Sequence, residues 1–312
     1  MTGNIPQRGF SVSDEQVQAI AEAHGLGRVR QHAWLGRGRN NPALLVNSDW
    51  VLRFDGLPGN TPRRFEGEAV AYRQLRDHHL PAPEVLGVDL SCHLFPAAYI
   101  ILSRLPGQPV VDAWPEMTAA QRDHIAAEAG RVLAQMHAIR GERCGDLRKP
   151  DITFTNWYDY LQDYLQRHVT DALQNGLLDK PLAARMERAL SDLHPLYQQS
   201  EYPRLVHRDF HFENVLCHNG AITGVIDFEW SLWGDPLCDF RTEDELERVC
   251  PGSSVTVQAA YGALRPLPTD FRRRLTGYRM LMALEYLEDA QDEAEEQRSR
   301  TMLEDCLTRL GS

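Results

Sequence analysis

The feature that most constrains this chain is an Asn-Gly pair, Asn219-Gly220, set between two apolar runs, Val215-Leu-Cys217 and Ile222 to Ile226. Both residues of such a pair accept positive φ, so the pattern predicts a type I′ hairpin. A turn centred there places Asn214 opposite Val225 and Asp227 opposite Phe212. Asn214 and Asp227 then neighbour each other at the open end, with Asp209 in the loop just before it. Two carboxylates and an amide oxygen converging on one point are hard oxygen donors, which suit Mg²⁺ when phosphates supply the remaining ligands. A polar loop with turn-forming Asp and Asn accounts for each residue singly, and only their combination argues for a site. His207 and His211 form an HxxxH pattern, but the segment is not helical and offers no third ligand, so zinc is not indicated.

The rest of the chain falls into two textures. Ser13-Asp-Glu-Gln16 is a capping-box pattern, followed by Val17, Ile20 and Ala21 at helical spacing and stopped by Gly25. Alternating runs follow, HAWLGRG and then ALLV and WVLRF around the turn Asn47-Ser48-Asp49. Thr61-Pro62 begins a second helix, which Pro81, Pro83 and Gly87 end, before two more strand-like runs, EVLGVD and AAYIILSRL. After Leu105-Pro-Gly107 the pattern is mainly helical, over 117–137, 157–173, 181–197 and the C-terminus, with a β region at 204–228. These textures predict an α+β chain of two lobes joined by a short hinge near 103–108: a small sheet-rich lobe over residues 1–104 and a larger, mainly helical one over 105–312.

With 312 residues, 43 % of them apolar and 25 % charged, the chain can bury two cores and has the balance of a globular enzyme. A net charge of −11 excludes the basic face that non-specific nucleic-acid binding needs and would attract a cationic small molecule. The six cysteines (92, 144, 217, 238, 250, 306) form no CxxC pair, which fits reduced thiols. The start, MTGNIPQRGF, lacks an apolar signal core, and no apolar run approaches ~18 residues, so a soluble, cytoplasmic chain without a membrane partner is expected. Nothing in the sequence speaks to oligomeric state. The only lysines are Lys149 and Lys180, which excludes any mechanism that needs a lysine in the first half.

His207-Arg-Asp209, Asn214 and Ile226-Asp227-Phe228 together resemble the catalytic and metal-binding loops of the protein-kinase-like fold. The Gly234-Asp235-Pro236 and Asp239 that follow are not protein-kinase features, and with them the segment resembles the aminoglycoside phosphotransferase/choline kinase family of small-molecule kinases. The likeness runs from about residue 30 to about residue 290 and implies a bilobal fold that uses ATP or GTP with Mg²⁺ on a small hydroxylated substrate. By that resemblance Asp209 would be the catalytic base, Asn214 and Asp227 would hold Mg²⁺, and His207, Asp235 and Asp239 would support the loop. A nucleotide-binding pseudokinase would be expected to lack one of Asp209, Asn214 or Asp227, and all three are present.

In WVLRF the period of two puts Val51 and Arg53 on one face, so Val51 can cover a base while Arg53 reaches phosphates. Arginine stands here where the fold family uses lysine, a bidentate rather than a point contact. Glu68 lies beside the helical stripe Phe65, Ala69, Tyr72, Leu75 and is the expected partner of Arg53; a solvated edge glutamate is the plainer alternative, and Glu66 is the nearest competitor. Gly36-Arg-Gly38-Arg-Asn40 stands where a phosphate-covering loop belongs but lacks the third glycine of GxGxxG. Around IILSRLPG, the resemblance implies backbone contacts from Leu102, Ser103 and Leu105 to adenine. Trp157, Tyr158, Tyr160 and Tyr164 read mostly as core. The acidic segment EYLEDAQDEAEEQ reads as a solvated helix face or, more sharply, as part of an anionic pocket in which Glu285, Glu288 and the nearby Glu229 meet a cationic antibiotic; an amino alcohol, amino acid or sugar is the alternative acceptor.

Overall fold

Ser13 opens the first helix as its pattern predicts: its Oγ accepts the Gln16 N–H at 3.2 Å while Gln16 Oε1 accepts the Ser13 N–H at 2.9 Å. The helix runs Asp14–Ala23, and Gly25 follows it at φ 67°. In the computed structural model, residues 11–35, 41–56, 63–198 and 203–311 are described. The Gly36–Asn40 loop and Thr61-Pro62 lie outside the described residues.

Contacts divide the chain into two compact units. The first comprises Met1–Gln121, Leu147–Pro150 and Phe212–Ser231; the second comprises Arg122–Asp146, Asp151–His211 and Leu232–Ser312.

The first unit is built on a five-stranded antiparallel sheet in the order His32–Leu35, Ala43–Val46, Trp50–Phe54, Tyr99–Ser103, Val85–Asp89. Asn47 and Ser48 both take positive φ in the turn that joins Ala43–Val46 to Trp50–Phe54. Trp50, Leu52 and Phe54 point into a core shared with Val17, Ile20 and Ala21 of the first helix and with Tyr99 and Ile101. The second helix, Arg64–Asp77, buries Phe65, Glu68, Ala69, Tyr72 and Leu75.

The hairpin Val215–His218/Ala221–Val225 turns at Asn219 (φ 50°) and Gly220 (φ 81°), as the Asn-Gly pair predicts. Its register departs from the expected one. Ala221 pairs with His218 and Ile222 with Cys217, but a bulge then pairs Gly224 with Leu216 and Val225 with Val215. Asn214 therefore meets Ile226, whose N–H donates to the Asn214 carbonyl at 2.9 Å, rather than Val225, and Asp227 moves one step past its expected place opposite Phe212. Two contacts from a distant part of the chain meet at the bulge. Thr223 Oγ1 donates to the Pro106 carbonyl at 2.7 Å, and a Cβ on Gly224 would lie 2.1 Å from Leu105 Cδ1.

The second unit is mainly helical, with a three-stranded sheet of Gly145–Asp146, Leu232–Gly234 and Arg204–Val206. Trp157, Tyr158, Tyr160 and Tyr164 of the helix Trp157–Gln174 are buried, in keeping with their reading as core. The stretch expected as one helix over 181–197 is two, Lys180–Asp192 and His194–Tyr197, with Pro195 at the start of the second. The acidic segment is likewise not one face. Glu285 and Glu288 end the helix Phe271–Glu288, Asp289 caps it, and Asp292 opens the helix Glu293–Leu310 by accepting the Glu295 N–H at 2.8 Å. Among the described residues no helix is long and apolar enough to cross a membrane.

Candidate active site

In the first unit the alternation of Trp50–Phe54 leaves Val51 and Arg53 on the face away from the core. Arg53 spans two carboxylates: Nη1 pairs with Glu68 Oε1, and Nη2 donates to Asp227 Oδ1 at 2.8 Å. Burial works against the charged guanidinium, but Glu68 and Asp227 outweigh it and hold Arg53 protonated. Glu68 is fully buried, and this burial pushes its carboxyl up to about 7 against the pull of Arg53. Glu66, its competitor in sequence, is half exposed and lies 4.0 Å from Arg63.

Tyr72, one turn after Glu68, links this pair to Asp227. Its hydroxyl donates to Glu68 Oε1 at 2.7 Å and accepts the Asp227 backbone N–H at 3.0 Å. Asp227 itself stands in the left-handed region, φ 67° and ψ 54°, which few residues besides glycine, asparagine and aspartate enter. Asn214 is buried one ladder step away. An amide oxygen and one carboxylate are the hard donors Mg²⁺ takes, with most positions left to phosphate and water, so the residues present fit that ion. Among the described residues no group of three or more His, Cys, Asp or Glu side chains is placed to hold a metal ion.

Leu102 is buried in its strand. The Ser103 N–H donates to the Glu84 carbonyl at 2.8 Å, Ser103 Oγ accepts the Glu84 N–H at 2.8 Å, and the Arg104 N–H donates to Asp49 at 2.9 Å. Those commitments take the Ser103 and Arg104 amides away from any ligand. The Leu105 amide follows directly.

Asp209 belongs to the second unit, in a loop held at almost every backbone position. Asp239 accepts the His207 N–H at 2.9 Å and the Arg208 N–H at 2.5 Å. His207 is buried, and its Nδ1 accepts the Asp209 N–H at 3.2 Å. Arg241 Nε donates to the Arg208 carbonyl at 2.8 Å and Thr242 Oγ1 to that of Phe210 at 2.9 Å. Asp235 caps its own turn through the Leu237 N–H at 2.9 Å and accepts the Tyr278 hydroxyl. Burial raises the Asp209 carboxyl, yet His211 Nε2, 3.3 Å from Oδ2, together with His207 and Arg241, brings it down to about 2. Asp209 is therefore ionised throughout the neutral range.

The three carboxylates considered for the acceptor each have a partner within their own unit. Glu229 accepts from Asn41 Nδ2 at 2.6 Å and Arg64 Nη1 at 3.3 Å. Glu285 lies between Arg208 (2.6 Å) and Arg241 (2.9 Å), and Glu288 meets His168 Nδ1 at 2.5 Å. Sequence reasoning missed Tyr72, Arg208, Arg241, Asn41 and Arg64. Only Tyr72 carried a signal, as a polar-tipped member of an apolar stripe.

The model of the phosphotransferase enzyme family (APH) matches residues 34–242. Hygromycin-B 4-O-kinase of Escherichia coli is 30 % identical over 174 residues, 55 % of this chain and 49 % of that protein, so the chain spans about half the length of that relative. Homoserine kinase of Methylocella silvestris is 26 % identical over 276 residues, 82 % of this chain and 78 % of its own. Among solved structures, a thermostable mutant of aminoglycoside phosphotransferase APH(4)-Ia in apo form superposes with a TM-score of 0.70 at 20 % identity, covering 95 % of this chain and 99 % of the other. At that identity the superposition speaks for the fold, an α+β protein-kinase-like one. The family match takes in well over half of the residues and both loops described above, and the chain belongs to the APH phosphotransferase family.

Proposed function

We propose that the protein is a Mg²⁺-dependent O-phosphotransferase that moves the γ-phosphoryl group of ATP to a hydroxyl of a small, amine-bearing molecule. The observation that carries this reading is the Arg53 guanidinium shared between Glu68 and Asp227. Residues 1–104 would clamp the nucleotide and residues 105–312 would supply catalysis and acceptor binding. Val51 would cover the base, Leu102 would pack beside it, and the Leu105 amide would be the hinge donor, with GTP a possible replacement for ATP. Arg53 would contact phosphate, and Asn214 and Asp227 would hold Mg²⁺. Bound there, the ion neutralises charge on the phosphate oxygens during transfer.

Asp209 would accept a hydrogen bond from the acceptor hydroxyl and so aim its oxygen at the γ-phosphorus. As the new O–P bond forms and the bond to ADP breaks, the hydroxyl proton passes to Asp209 Oδ and then to solvent. A carboxyl held near 2 is a weak base. That suits a loose transition state, in which the proton is lost late and alignment matters most. ATP-fed chemistry and six cysteines with no CxxC pair fit the cytoplasm.

An aminoglycoside or related cationic antibiotic is the first acceptor reading, supported by the charge of −11 and the similarity to hygromycin-B kinase. A hydroxylated amino acid or amino alcohol is the second, favoured by the longer alignment with homoserine kinase and by the internal partners of Glu229, Glu285 and Glu288. The deciding experiment is Mg²⁺-dependent ADP release against a panel split between aminoglycosides and metabolites such as choline, homoserine and sugars. Turnover with one half identifies the acceptor class. Chelating Mg²⁺ should abolish it, and Asp209→Asn should lower kcat by about 10²–10⁴-fold. A folded Asp209→Asn variant with wild-type turnover would remove Asp209 from the chemistry.

A further inference from the structure

Arg208 stands at φ 71°, in the left-handed region that a long side chain avoids and glycine enters freely, one residue before Asp209. Such a conformation persists only when its surroundings over-determine it. Here they do so at both ends of the residue. Asp239 accepts the Arg208 N–H, Arg241 Nε donates to its carbonyl, and the side chain runs inward to Glu285 Oε1, 2.6 Å from Nη2. The Tyr164 hydroxyl adds a further contact to Nη2 at 3.2 Å. Arg241 Nη1 also reaches both oxygens of Glu285, at 2.9 and 3.1 Å. The two arginines that grip the loop thus share one carboxylate, and all three side chains are largely buried.

We propose that Glu285 is a positioning residue for the catalytic loop: by pairing with Arg208 and Arg241 together it holds Arg208 in the left-handed conformation that aims Asp209. The assignment to catalysis rests on the role of Asp209 proposed above, whereas the mechanical brace does not. An acceptor subsite at Glu285 fits poorly, because both oxygens are already engaged. The cavity bounded by Trp157, Tyr164, Arg208, Arg241 and Glu285 has a volume of only about 10 Å³, at most the room for a single water. Removing the charge of Glu285 would leave two buried guanidiniums facing each other without the carboxylate they share, and the side able to give way is the strained one.

A double-mutant cycle tests this on the full chain, with Glu285→Gln, Arg208→Gly and both together. Glycine takes φ 71° without support, so Arg208→Gly removes the need for the brace. Two readouts serve: deuterium uptake by the peptide spanning 205–211, and steady-state ATP consumption with the best acceptor. In Glu285→Gln the peptide should exchange at least about tenfold faster, and kcat should fall about 10²-fold, the scale of a small misplacement of a reacting group. KM for ATP should stay within about twofold, because the nucleotide contacts assigned above do not include the loop. In the Arg208→Gly background the same substitution should change exchange and kcat by no more than about twofold, the level of independent sites.

Unchanged exchange and kcat in Glu285→Gln would overturn the proposal. So would a loss of equal size in both backgrounds, which a general stability defect predicts, or a raised acceptor KM at constant kcat, which a substrate contact predicts. A Glu285→Gln chain that fails to fold while the double variant folds and consumes ATP supports it. If the native chain consumes no nucleotide with any acceptor but the exchange cycle behaves as described, the brace stands and the catalytic role of Asp209 falls.

Discussion

The Tyr72 hydroxyl is a second link, beside Arg53, between Glu68 and Asp227. Tyr72 donates to Glu68 and accepts from the backbone of Asp227, so the helix Arg64–Asp77 bears directly on the left-handed residue that follows the hairpin. Its ring meets Phe228 edge-on at 5.4 Å, so Tyr72→Phe keeps the packing and deletes only the bridge. A lost buried hydrogen bond is worth about 1–1.5 kcal/mol, close to tenfold in an equilibrium. Calorimetric titration of ADP should therefore show its Mg²⁺-linked affinity weakened about tenfold in Tyr72→Phe, with affinity in the absence of Mg²⁺ unchanged. Equal affinities in both proteins would reduce Tyr72 to a packing residue. The sequence placed Tyr72 on a buried stripe beside Glu68, and that placement holds. The partner of its hydroxyl lies 155 positions away, and no periodicity reaches that far.

Among the elements, the helix Arg64–Asp77 is seated by a glycine. A Cβ on Gly67 would lie 2.8 Å from the carbonyl carbon of Leu147 and 2.9 Å from its oxygen. Backbone cannot swing aside as a side-chain tip can, so Gly67→Ala must lift the helix and with it Glu68, the next residue. Overpacking of this kind costs about 1–3 kcal/mol. The expected outcome is a lower Tm together with a raised KM for ATP. A lower Tm with an unchanged KM would separate the seating of the helix from nucleotide contact. The hairpin shows where element-level reading stops. Asn219-Gly220 foretold the turn, because a type I′ turn asks only for two adjacent residues that accept positive φ. The bulge beyond it depends on Thr223 reaching Pro106, 117 positions earlier, and so the register was one step off. The acidic segment misled for a related reason: Asp292 is a cap, and a cap looks like any other charge until the break it serves is seen.

Over the whole molecule, the two carboxyls pulled furthest down at the loop make acid the natural stress on stability. Burial raises the Glu285 carboxyl, but Arg208 and Arg241 outweigh it and bring it to about 2, against an ordinary 4.5. Asp209 is likewise held near 2. Between these values the unfolded chain binds protons that the folded chain refuses, so the stabilisation is complete above about pH 4.5 and is lost as pH falls towards 2. Scanning calorimetry from about pH 6 down to about pH 3 should show a falling Tm, and Glu285→Gln should make that fall shallower. An identical slope in the variant would mean that the acid response comes from other carboxyls.

Near-neighbour chemistry was decided by the sequence alone. The capping box at Ser13, the alternation that turns Arg53 away from the core and the Asn-Gly turn are properties of a few adjacent residues, and each survives in the structure. Tertiary structure alone decided which charges meet. Glu285 stood in the sequence as one acid in an acidic run, and only packing gave it Arg208 and Arg241. The same packing set the bulge and forced Arg208 into a left-handed conformation. A buried charge must find its counter-charge wherever the chain brings one, and strain can be held only by surroundings that are already folded.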